Sequence, residues 1–455
     1  MTPSLANTTN KRIKRILLVT LLIIISCAVI YLSLLLPIIT GYAAKNLCSD
    51  VFISGRKQEE VESTDLNFSF IKYTRNKIDY RDSSVTSRFL WGKSMAICRK
   101  HFGTVLLRKC TEDEIRSIHF PSFPGPDYSK DTVDWPLGDI ITDTLTGFDR
   151  RKLESVSSSL VQNDNYGGDA FAFMVLYKGI PVIESYKPQF DKNTRFLSWS
   201  MAKSVMNAEV GVMVSEGLID IMMKPDIDNW SENDRSNITL NDLMHMQSGL
   251  KWNEDYGNRS DVTVMLHCRN NMAKFAYDKK SEYPAGTHWL YSSGTANIIS
   301  YIIRKQFNDD PAYYAYLYKD LFYRIGITDA VQEIDPSGTY VGSSYLYATA
   351  RDFARFGLLF LQDGVVNGVR ILPEGWVTYS TTPASCSGGK YGSLFWLNVN
   401  GKIPAASEAS FMCEGHDGQE ILVDPEKKLV VVVLGYSPHG SMDFNRLVED
   451  IYKAF

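Results

Sequence analysis

A charge-free apolar run near the N-terminus constrains this chain more than any other feature. Residues 16–40 carry no charged side chain and consist largely of Ile, Leu and Val. A helix needs about 20 apolar residues to cross the hydrocarbon core of a bilayer. Four basic residues precede the run: Lys11, Arg12, Lys14 and Arg15. Because a basic flank stays cytoplasmic, we predict a cytoplasmic tail at residues 1–15 and a transmembrane signal-anchor at 16–40.

The anchor has one competing interpretation, a cleaved signal peptide. The apolar core of a signal peptide spans about 7–15 residues, which is shorter than this run. However, Gly41-Tyr42-Ala43-Ala44 offers small residues at which a peptidase could cut. In both cases the chain from residue 45 onward would lie outside the cytosol, in the periplasm, a lumen or the exterior. We predict a single-pass membrane protein with its catalytic domain on that side.

Composition narrows the class of protein and of partner. The chain has 455 residues, 44% hydrophobic and 22% charged, which is typical of globular proteins. A net charge of -4 and a pI of about 6.0 provide no field that would attract nucleic acid. Seven cysteines occur without a CxxC pair, so we predict no metal site. A disulfide within the set Cys48, Cys98 and Cys110 and three free thiols are both compatible with the sequence.

The rest of the chain divides at about residue 149. Residues 45–148 are mixed and aromatic-rich, and we predict an N-terminal extension there. From 149 to 455 the pattern predicts one domain, which opens with a helix (149–162) and a hairpin (170–177 and 181–186). It closes with a second hairpin and a helix, at 419–423, 429–434 and 442–455. Helices at 239–247 and 296–305 lie between, so we predict an antiparallel sheet built from both chain ends around a helical insertion.

Five Ser-x-x-Lys pairs offer a nucleophile. A Ser and a Lys three residues apart on a helix share one face, and a buried Lys can accept the hydroxyl proton. Four pairs lie in unsuitable surroundings: Ser54/Lys57 and Ser387/Lys390 in turns, Ser248/Lys251 across a helix end, and Ser69/Lys72 in a β-prone stretch. Only Ser200 and Lys203 open a long apolar helix, where the lysine should be buried. We therefore predict Ser200 as the nucleophile, against the alternative that Lys203 only pairs with a carboxylate.

Three motifs in order resemble a known family. Ser198-Trp199-Ser200-Met201-Ala202-Lys203 is similar to the first motif of class C β-lactamases, DD-peptidases, EstB-type esterases and 6-aminohexanoate-dimer hydrolases, most of all the last. Tyr291-Ser292-Ser293 resembles the second motif and Gly415-His416-Asp417-Gly418-Gln419 the third. The resemblance covers roughly residues 150–455. It implies an α/β sandwich of the β-lactamase/transpeptidase type, with an antiparallel sheet flanked by helices and an all-helical subdomain.

The resemblance also implies roles for individual residues. Ser200 would be acylated while Lys203 and Tyr291 transfer protons, and backbone N–H groups of Ser200 and Gln419 would bind the oxyanion. His416 and Gly418 belong to the third motif, and Tyr256 resembles a substrate-contacting tyrosine, although a packing role is equally compatible with the sequence. No cofactor is implied, and the substrate would be a small-molecule or peptide amide or ester.

Two departures from the β-lactamase pattern narrow the substrate. Ser293 stands where β-lactamases carry Asn, and His416 stands where they carry Lys, so a fixed cation becomes a titratable imidazole. Both favour a linear amide or an ester over a β-lactam. A DD-peptidase and a catalytically silent, membrane-tethered binding protein on the same fold are the alternative functions.

Overall fold

The N-terminal part of the chain forms a unit of its own around one long helix. The computed structural model describes residues 5–142, 145–231 and 234–455. Helix α1 (Leu5–Phe52) runs for 48 residues without a break. It is followed by α2 (Gln58–Ser63), β1 (Arg75–Asp79), β2 (Ser84–Phe89), β3 (Gly92–Arg99), β4 (Gly103–Leu106) and α3 (Glu112–Ser117). The four strands pair antiparallel in the order β1-β2-β3-β4.

The last third of α1 is the core element of this unit. From Leu36 onward the helix is largely buried against the sheet, whereas the preceding turns are exposed. Small side chains at Ala43, Ala44 and Cys48 are fully buried, which lets the helix approach β2 and β3 closely. Residues 45–117, within the predicted extension of 45–148, thus form helices and strands that pack on α1. All seven cysteines are free thiols.

The remaining elements form the larger domain. Its helices are α4 (Arg150–Val161), α5 (Met201–Ser215), α6 (Leu240–Met244), α7 (Asp261–Cys268), α8 (Met272–Tyr277), α9 (Ser293–Arg304), α10 (Asp310–Tyr316), α11 (Ala350–Leu361), α12 (Trp376–Thr381) and α13 (Phe444–Tyr452). Its strands are β5 (Asp169–Tyr177), β6 (Ile180–Tyr186), β7 (Phe196–Leu197), β8 (Val331–Gln332), β9 (Leu346–Ala348), β10 (Val365–Val366), β11 (Val369–Arg370), β12 (Trp396–Leu397), β13 (Phe411–Gly415), β14 (Gln419–Asp424) and β15 (Leu429–Tyr436).

A six-stranded antiparallel sheet joins both ends of this domain. Its order is β12-β13-β14-β15-β5-β6, so the N-terminal hairpin pairs with the C-terminal one, as predicted. One face packs on α4 and α13, and the other on α5 and α11. Strand β15 is buried on both faces because Val430 and Val432 enter one core while Val431 and Val433 enter the other. The predicted antiparallel α/β sandwich with a helical insertion is confirmed.

The helix and strand predictions differ from the structure in several places, including the final helix, which is shorter at both ends than the predicted 442–455. Helix α6 ends at Met244, before the predicted 247, because Met246 has a left-handed backbone with φ 56°. Helix α9 begins at Ser293 rather than 296, since Ser292 caps it by accepting from the Thr295 N–H at 2.9 Å. The stretch around Ser69 and Lys72, predicted as extended, instead forms a turn and a 3-10 helix, Ile71–Tyr73.

Candidate active site

Ser200 and Lys203 meet at the start of α5. Strand β7 ends just before Trp199, whose φ of 45° turns the chain sharply into the helix. Ser200 occupies the N-cap position but makes no capping hydrogen bond. Its Oγ instead accepts from Lys203 Nζ at 2.9 Å, and the same Nζ donates to the Ser343 carbonyl at 2.9 Å. Among the five candidate pairs in the described chain, this is the one joined by a Ser–Lys hydrogen bond.

Burial changes the charge state of the lysine. Lys203 is 1% exposed, and desolvation lowers its pKa from 10.5 to about 8, while the nearby Glu254 carboxylate partly opposes this shift. With a pKa near 8, about a tenth of the amine is unprotonated at neutral pH. An ordinary lysine would offer far less free base. The site therefore holds an amine that can accept a proton from the hydroxyl it contacts.

Tyr291 completes the group around the nucleophile. The centre of its ring lies 4.9 Å from Lys203 Nζ, and interaction with the Ser200 side chain partly offsets the rise in the pKa of its hydroxyl. Trp396 stacks on the ring at 5.4 Å and Tyr391 meets it edge-on at 5.8 Å. Burial, together with the Glu254 carboxylate, raises the pKa of Tyr291 above its ordinary value. The phenol is thus neutral at physiological pH and suited to pass a proton rather than to serve as a resting base.

Glu254 is the site residue for which the sequence predicts no role. One carboxylate oxygen accepts from the Ser293 N–H at 3.0 Å and from the Trp252 indole N–H. The other accepts from the Ser293 hydroxyl at 2.5 Å and from the Tyr256 hydroxyl at 3.2 Å. Ser293 opens α9 two residues after Tyr291, so Glu254 fixes the second motif. An acid in the polar run 253–255 carries no sequence signal that separates it from a solvated surface residue.

The third motif lies against the loop that leads from Ser198 to Ser200. A Cβ on Gly415 would approach the Ser198 carbonyl to 2.3 Å, so this contact requires glycine. The His416 ring meets Trp199 edge-on at 5.5 Å and stacks on Tyr256 at 5.5 Å. Tyr256 is 38% exposed and forms the rim of the site, with its hydroxyl 3.4 Å from Ser293 Oγ. Residues from all three motifs and Tyr256 therefore share one region.

Gly418 and Gln419 hold the third-motif turn in place. Gly418 has φ 82°, and a Cβ there would lie 2.7 Å from the Ser437 Cβ. The Gln419 side chain points into the sheet, where its amide donates to the Gly435 carbonyl at 2.6 Å and accepts from the Gly435 N–H at 3.1 Å. This pairing fits the irregular register of β15 between Leu434 and Gly435. The Gln419 side chain thus stabilises the turn from inside the sheet.

Helix α1 contributes to the wall of this site. The Tyr42 ring stacks on Trp199 with centroids 6.3 Å apart and planes at 19°. One turn on, Lys45 forms a buried ion pair with Glu333, and its Nζ lies 4.1 Å from the centre of the Tyr345 ring. Tyr345 follows Ser343, whose carbonyl binds Lys203, within two residues. The N-terminal unit therefore supports both the loop before Ser200 and the loop whose Ser343 carbonyl binds Lys203.

Other candidate chemistry is limited within the described chain. No group of three or more His, Cys, Asp and Glu side chains is arranged to hold a metal ion in residues 5–142, 145–231 and 234–455. A groove of about 470 Å³ adjoins the third motif, lined by His416, Glu414, Glu420 and Lys402 among others. Ser200, Lys203 and Tyr291 do not line this groove, which extends toward Met442 and Phe444 at the start of α13.

A buried Ser–Lys–Tyr group on an antiparallel sandwich defines a serine-hydrolase type of site. The β-lactamase family model matches residues 159–452, and the chain belongs to that family. A 6-aminohexanoate-dimer hydrolase of Paenarthrobacter ureafaciens is 24% identical over 296 residues, covering 59% of this chain and 72% of that protein. This family includes hydrolases of amides and esters.

Solved structures agree on the fold. A Bacillus anthracis protein assigned to the 6-aminohexanoate-dimer hydrolases superposes with a TM-score of 0.55 at 21% identity, over 71% of this chain and 87% of that one. A family VIII carboxylesterase superposes with a TM-score of 0.52 at 15% identity, over 69% of this chain and 99% of the esterase. At these identities the superpositions establish the architecture alone.

Proposed function

We propose that this protein is a membrane-anchored serine hydrolase that cleaves an amide or ester through an acyl-enzyme on Ser200. One observation carries the proposal. The Ser200 hydroxyl lies 2.9 Å from a fully buried amine whose pKa is lowered to about 8. A nucleophilic serine needs an adjacent base that is partly unprotonated at the working pH.

The first half of the reaction forms the acyl-enzyme. Ser200 Oγ attacks the substrate carbonyl while its proton passes to the neutral Lys203 amine. Tyr291, next to Ser200 and Lys203, relays this proton to the leaving nitrogen or oxygen. The C–N or C–O bond then breaks, leaving an ester on Ser200. Backbone N–H groups of Ser200 and Gln419 are the proposed oxyanion donors, each worth about 10²–10³ in rate.

The second half releases the acid. A water molecule attacks the Ser200 ester and gives its proton to Lys203 by way of Tyr291. The ester bond breaks, Ser200 regains its proton, and the carboxylic acid leaves. No metal or organic cofactor takes part in this proposal.

The substrate preference rests on the two departures in the motifs. Ser293 stands where β-lactamases carry Asn, and both its hydroxyl and its N–H donate to Glu254. The second motif therefore has no free side-chain amide of the kind that β-lactamases have. His416 packs between Trp199 and Tyr256 and replaces a fixed lysine cation. Both features support a linear amide or an ester over a β-lactam. Tyr256, on the rim, is the proposed substrate contact.

Membrane anchoring is supported by the continuity of α1. This helix is long and apolar enough to span a bilayer between Arg12 and Phe52. Cleavage after Ala44 would cut it in the middle of its buried segment and remove Ile39, Ala43 and Ala44 from the core that they share with the sheet. An uncleaved anchor with the catalytic domain outside the cytosol is therefore the proposed topology.

Acylation of Ser200 can be tested on the full chain. We expect intact-mass spectrometry to show one covalent adduct after exposure to a serine-directed fluorophosphonate, and turnover of short acyl esters and amino-acid amides. Ser200→Ala should lose the adduct and reduce turnover at least about 10³-fold. Ser54→Ala, which alters another Ser-x-x-Lys pair, is the matched control and should retain both.

Each outcome of this experiment decides between functions. Full turnover by Ser200→Ala would exclude the proposed nucleophile. Covalent labelling of Ser200 by penicillin, without ester turnover, would favour a DD-peptidase. The absence of any adduct in the wild-type protein would indicate a silent binding protein. The intact mass also reports whether residues 1–44 remain attached.

A further inference from the structure

The exposed part of α1 ends at a sharp boundary. Its large apolar side chains are exposed from Ile16, at 63%, to Leu34, at 47%, whereas Leu36 is 1% exposed. At 1.5 Å per residue, the stretch from Ile16 to Leu34 is about 28 Å long, close to the roughly 30 Å hydrocarbon thickness of a bilayer. If α1 spans a membrane as proposed above, Leu34 lies at the level where the hydrocarbon meets the headgroups.

The hairpin between β2 and β3 reaches α1 at this same level. The Trp91 indole N–H donates to the Ser33 hydroxyl at 3.1 Å. A Cβ on Gly92 would lie 2.8 Å from the Leu36 Cβ, so the hairpin tip touches the helix. Even so, Leu90 and Trp91 are 61% and 55% exposed. Two large apolar side chains thus project beside the helix where the lipid boundary would be.

More aromatic surface surrounds the tip. Phe70 and Tyr73, from the segment before β1, are 50% and 58% exposed. Both pack on Phe89 at the end of β2, with ring centroids 6.2 and 6.5 Å apart. Tyrosine and tryptophan are the residues that concentrate at membrane–water interfaces, because one end of each ring system is apolar and the other hydrogen-bonds. In water, this group would be an unpartnered apolar patch.

A row of basic residues crosses the sheet next to the tip. Arg75 pairs with Arg88, and Arg88 pairs with Lys93, so three cations stand side by side on neighbouring strands. All three are exposed, and none forms an ion pair with a carboxylate in the described part of the chain. Like charges directly opposite one another destabilise a sheet. An anionic surface facing the row would turn this repulsion into attraction.

We propose that the residues Phe70, Tyr73, Leu90 and Trp91, with the basic row Arg75, Arg88 and Lys93, form a docking surface for a bilayer that contains anionic phospholipid. The proposal rests on the membrane insertion of α1, because the helix sets the height of the hairpin. Tyr42, which stacks on Trp199 beside the nucleophile, lies eight residues beyond Leu34, or about 12 Å along the helix. Docking holds the site close to the headgroup layer instead of on a mobile tether.

Tryptophan fluorescence offers a direct test, because Trp91 is the one exposed tryptophan in the described chain. The full-length protein is placed in nanodiscs whose lipids carry bromine in the acyl chains, which quenches an indole on contact. We expect quenching in the wild type, loss of most of it in Trp91→Phe, and full retention in Trp230→Phe, a matched control at a position 2% exposed. Equal quenching in wild type and Trp91→Phe overturns the docking.

The basic row is tested with the same readout. Quenching of Trp91 should increase when phosphatidylglycerol replaces part of a zwitterionic lipid, and this increase should disappear in Arg75→Gln/Arg88→Gln/Lys93→Gln. An increase that survives the triple substitution overturns the electrostatic part.

Alkaline carbonate extraction separates failure of this proposal from failure of the anchoring. Protein that washes off the membrane in carbonate refutes insertion of α1. Protein that resists carbonate but shows no Trp91-dependent quenching refutes the docking surface alone.

Discussion

Replacement of Lys203 by methionine should abolish hydrolysis and yet stabilise the protein at neutral pH. Burial lowers the pKa of this lysine from 10.5 to about 8. At 1.36 kcal/mol per pKa unit, holding the ammonium in the interior costs about 3 kcal/mol below pH 8. Methionine fills a similar volume without charge. It also removes two hydrogen bonds, to Ser200 and Ser343, worth about 1 kcal/mol each. The net gain is about 1–2 kcal/mol.

The dependence on pH distinguishes this cause from altered packing. Between pH 8 and 10.5 the unfolded chain holds a proton on Lys203 that the folded protein has released, so wild-type stability rises with pH in this window. Above 10.5 the amine is neutral in both states and the cost vanishes. Thermal unfolding at pH 7, 8.5 and 10 should therefore show a Tm advantage for Lys203→Met that shrinks as pH rises.

An exposed lysine provides the control for this experiment. Lys57→Met changes the exposed lysine of another Ser-x-x-Lys pair and should leave Tm nearly unchanged at every pH. A Lys203→Met protein that is less stable than wild type by the same margin at all three values would contradict a buried lysine with a lowered pKa. The proposed general base would then need another explanation.

Two further substitutions test the electrostatics around the site. Glu209, buried on α5 with one carboxylate oxygen unpartnered, has its pKa raised by burial to about 8. Because the folded protein keeps this proton between pH 4.5 and 8, Glu209→Gln should match wild type in free energy of unfolding at pH 4.5 and exceed it increasingly up to pH 8, by about 5 kcal/mol at most. Glu254→Gln can keep the contacts to Ser293 and Trp252 but removes the negative charge that raises the Lys203 pKa. The acidic limb of the kcat/KM profile should therefore move to lower pH, and an unmoved limb would exclude Lys203 as the group that titrates.

Local patterns in the sequence predict much of the sandwich. Both hairpins can be predicted from the sequence because turn residues bound their apolar runs, and the run around Val430–Val433 indicates a strand buried on both faces. Ser200 and Lys203 could be chosen from five pairs because a helix brings positions three apart together. Each of these inferences uses neighbours within a few residues. The grouping of Tyr291 and His416 with them required the family resemblance, since nothing local joins the motifs.

The residues that the sequence did not reveal are those whose partners lie far along the chain. Glu254 accepts hydrogen bonds from Ser293, 39 residues away, and such bonds produce no periodic pattern in the sequence. Lys45 and Glu333 are 288 residues apart, and a lysine just after an apolar run is typical of a membrane flank. Composition cannot show that this lysine is 3% exposed inside a protein core.

Helix α1 shows why hydropathy alone could not divide this chain. Residues 36–40 are as apolar as the residues before them, because lipid and protein interior favour the same side chains. The two stretches differ in their tertiary contacts, because Leu34 is exposed whereas Leu36 and Ile39 are buried in the N-terminal unit. Since the helix continues unbroken into Tyr42 and Lys45, which support the loops next to Ser200 and Lys203, the proposed anchor and the scaffold of the site are one element. In the proposed topology, this one helix sets the height of the site above the membrane, and the packing of its second half defines where the exposed part ends.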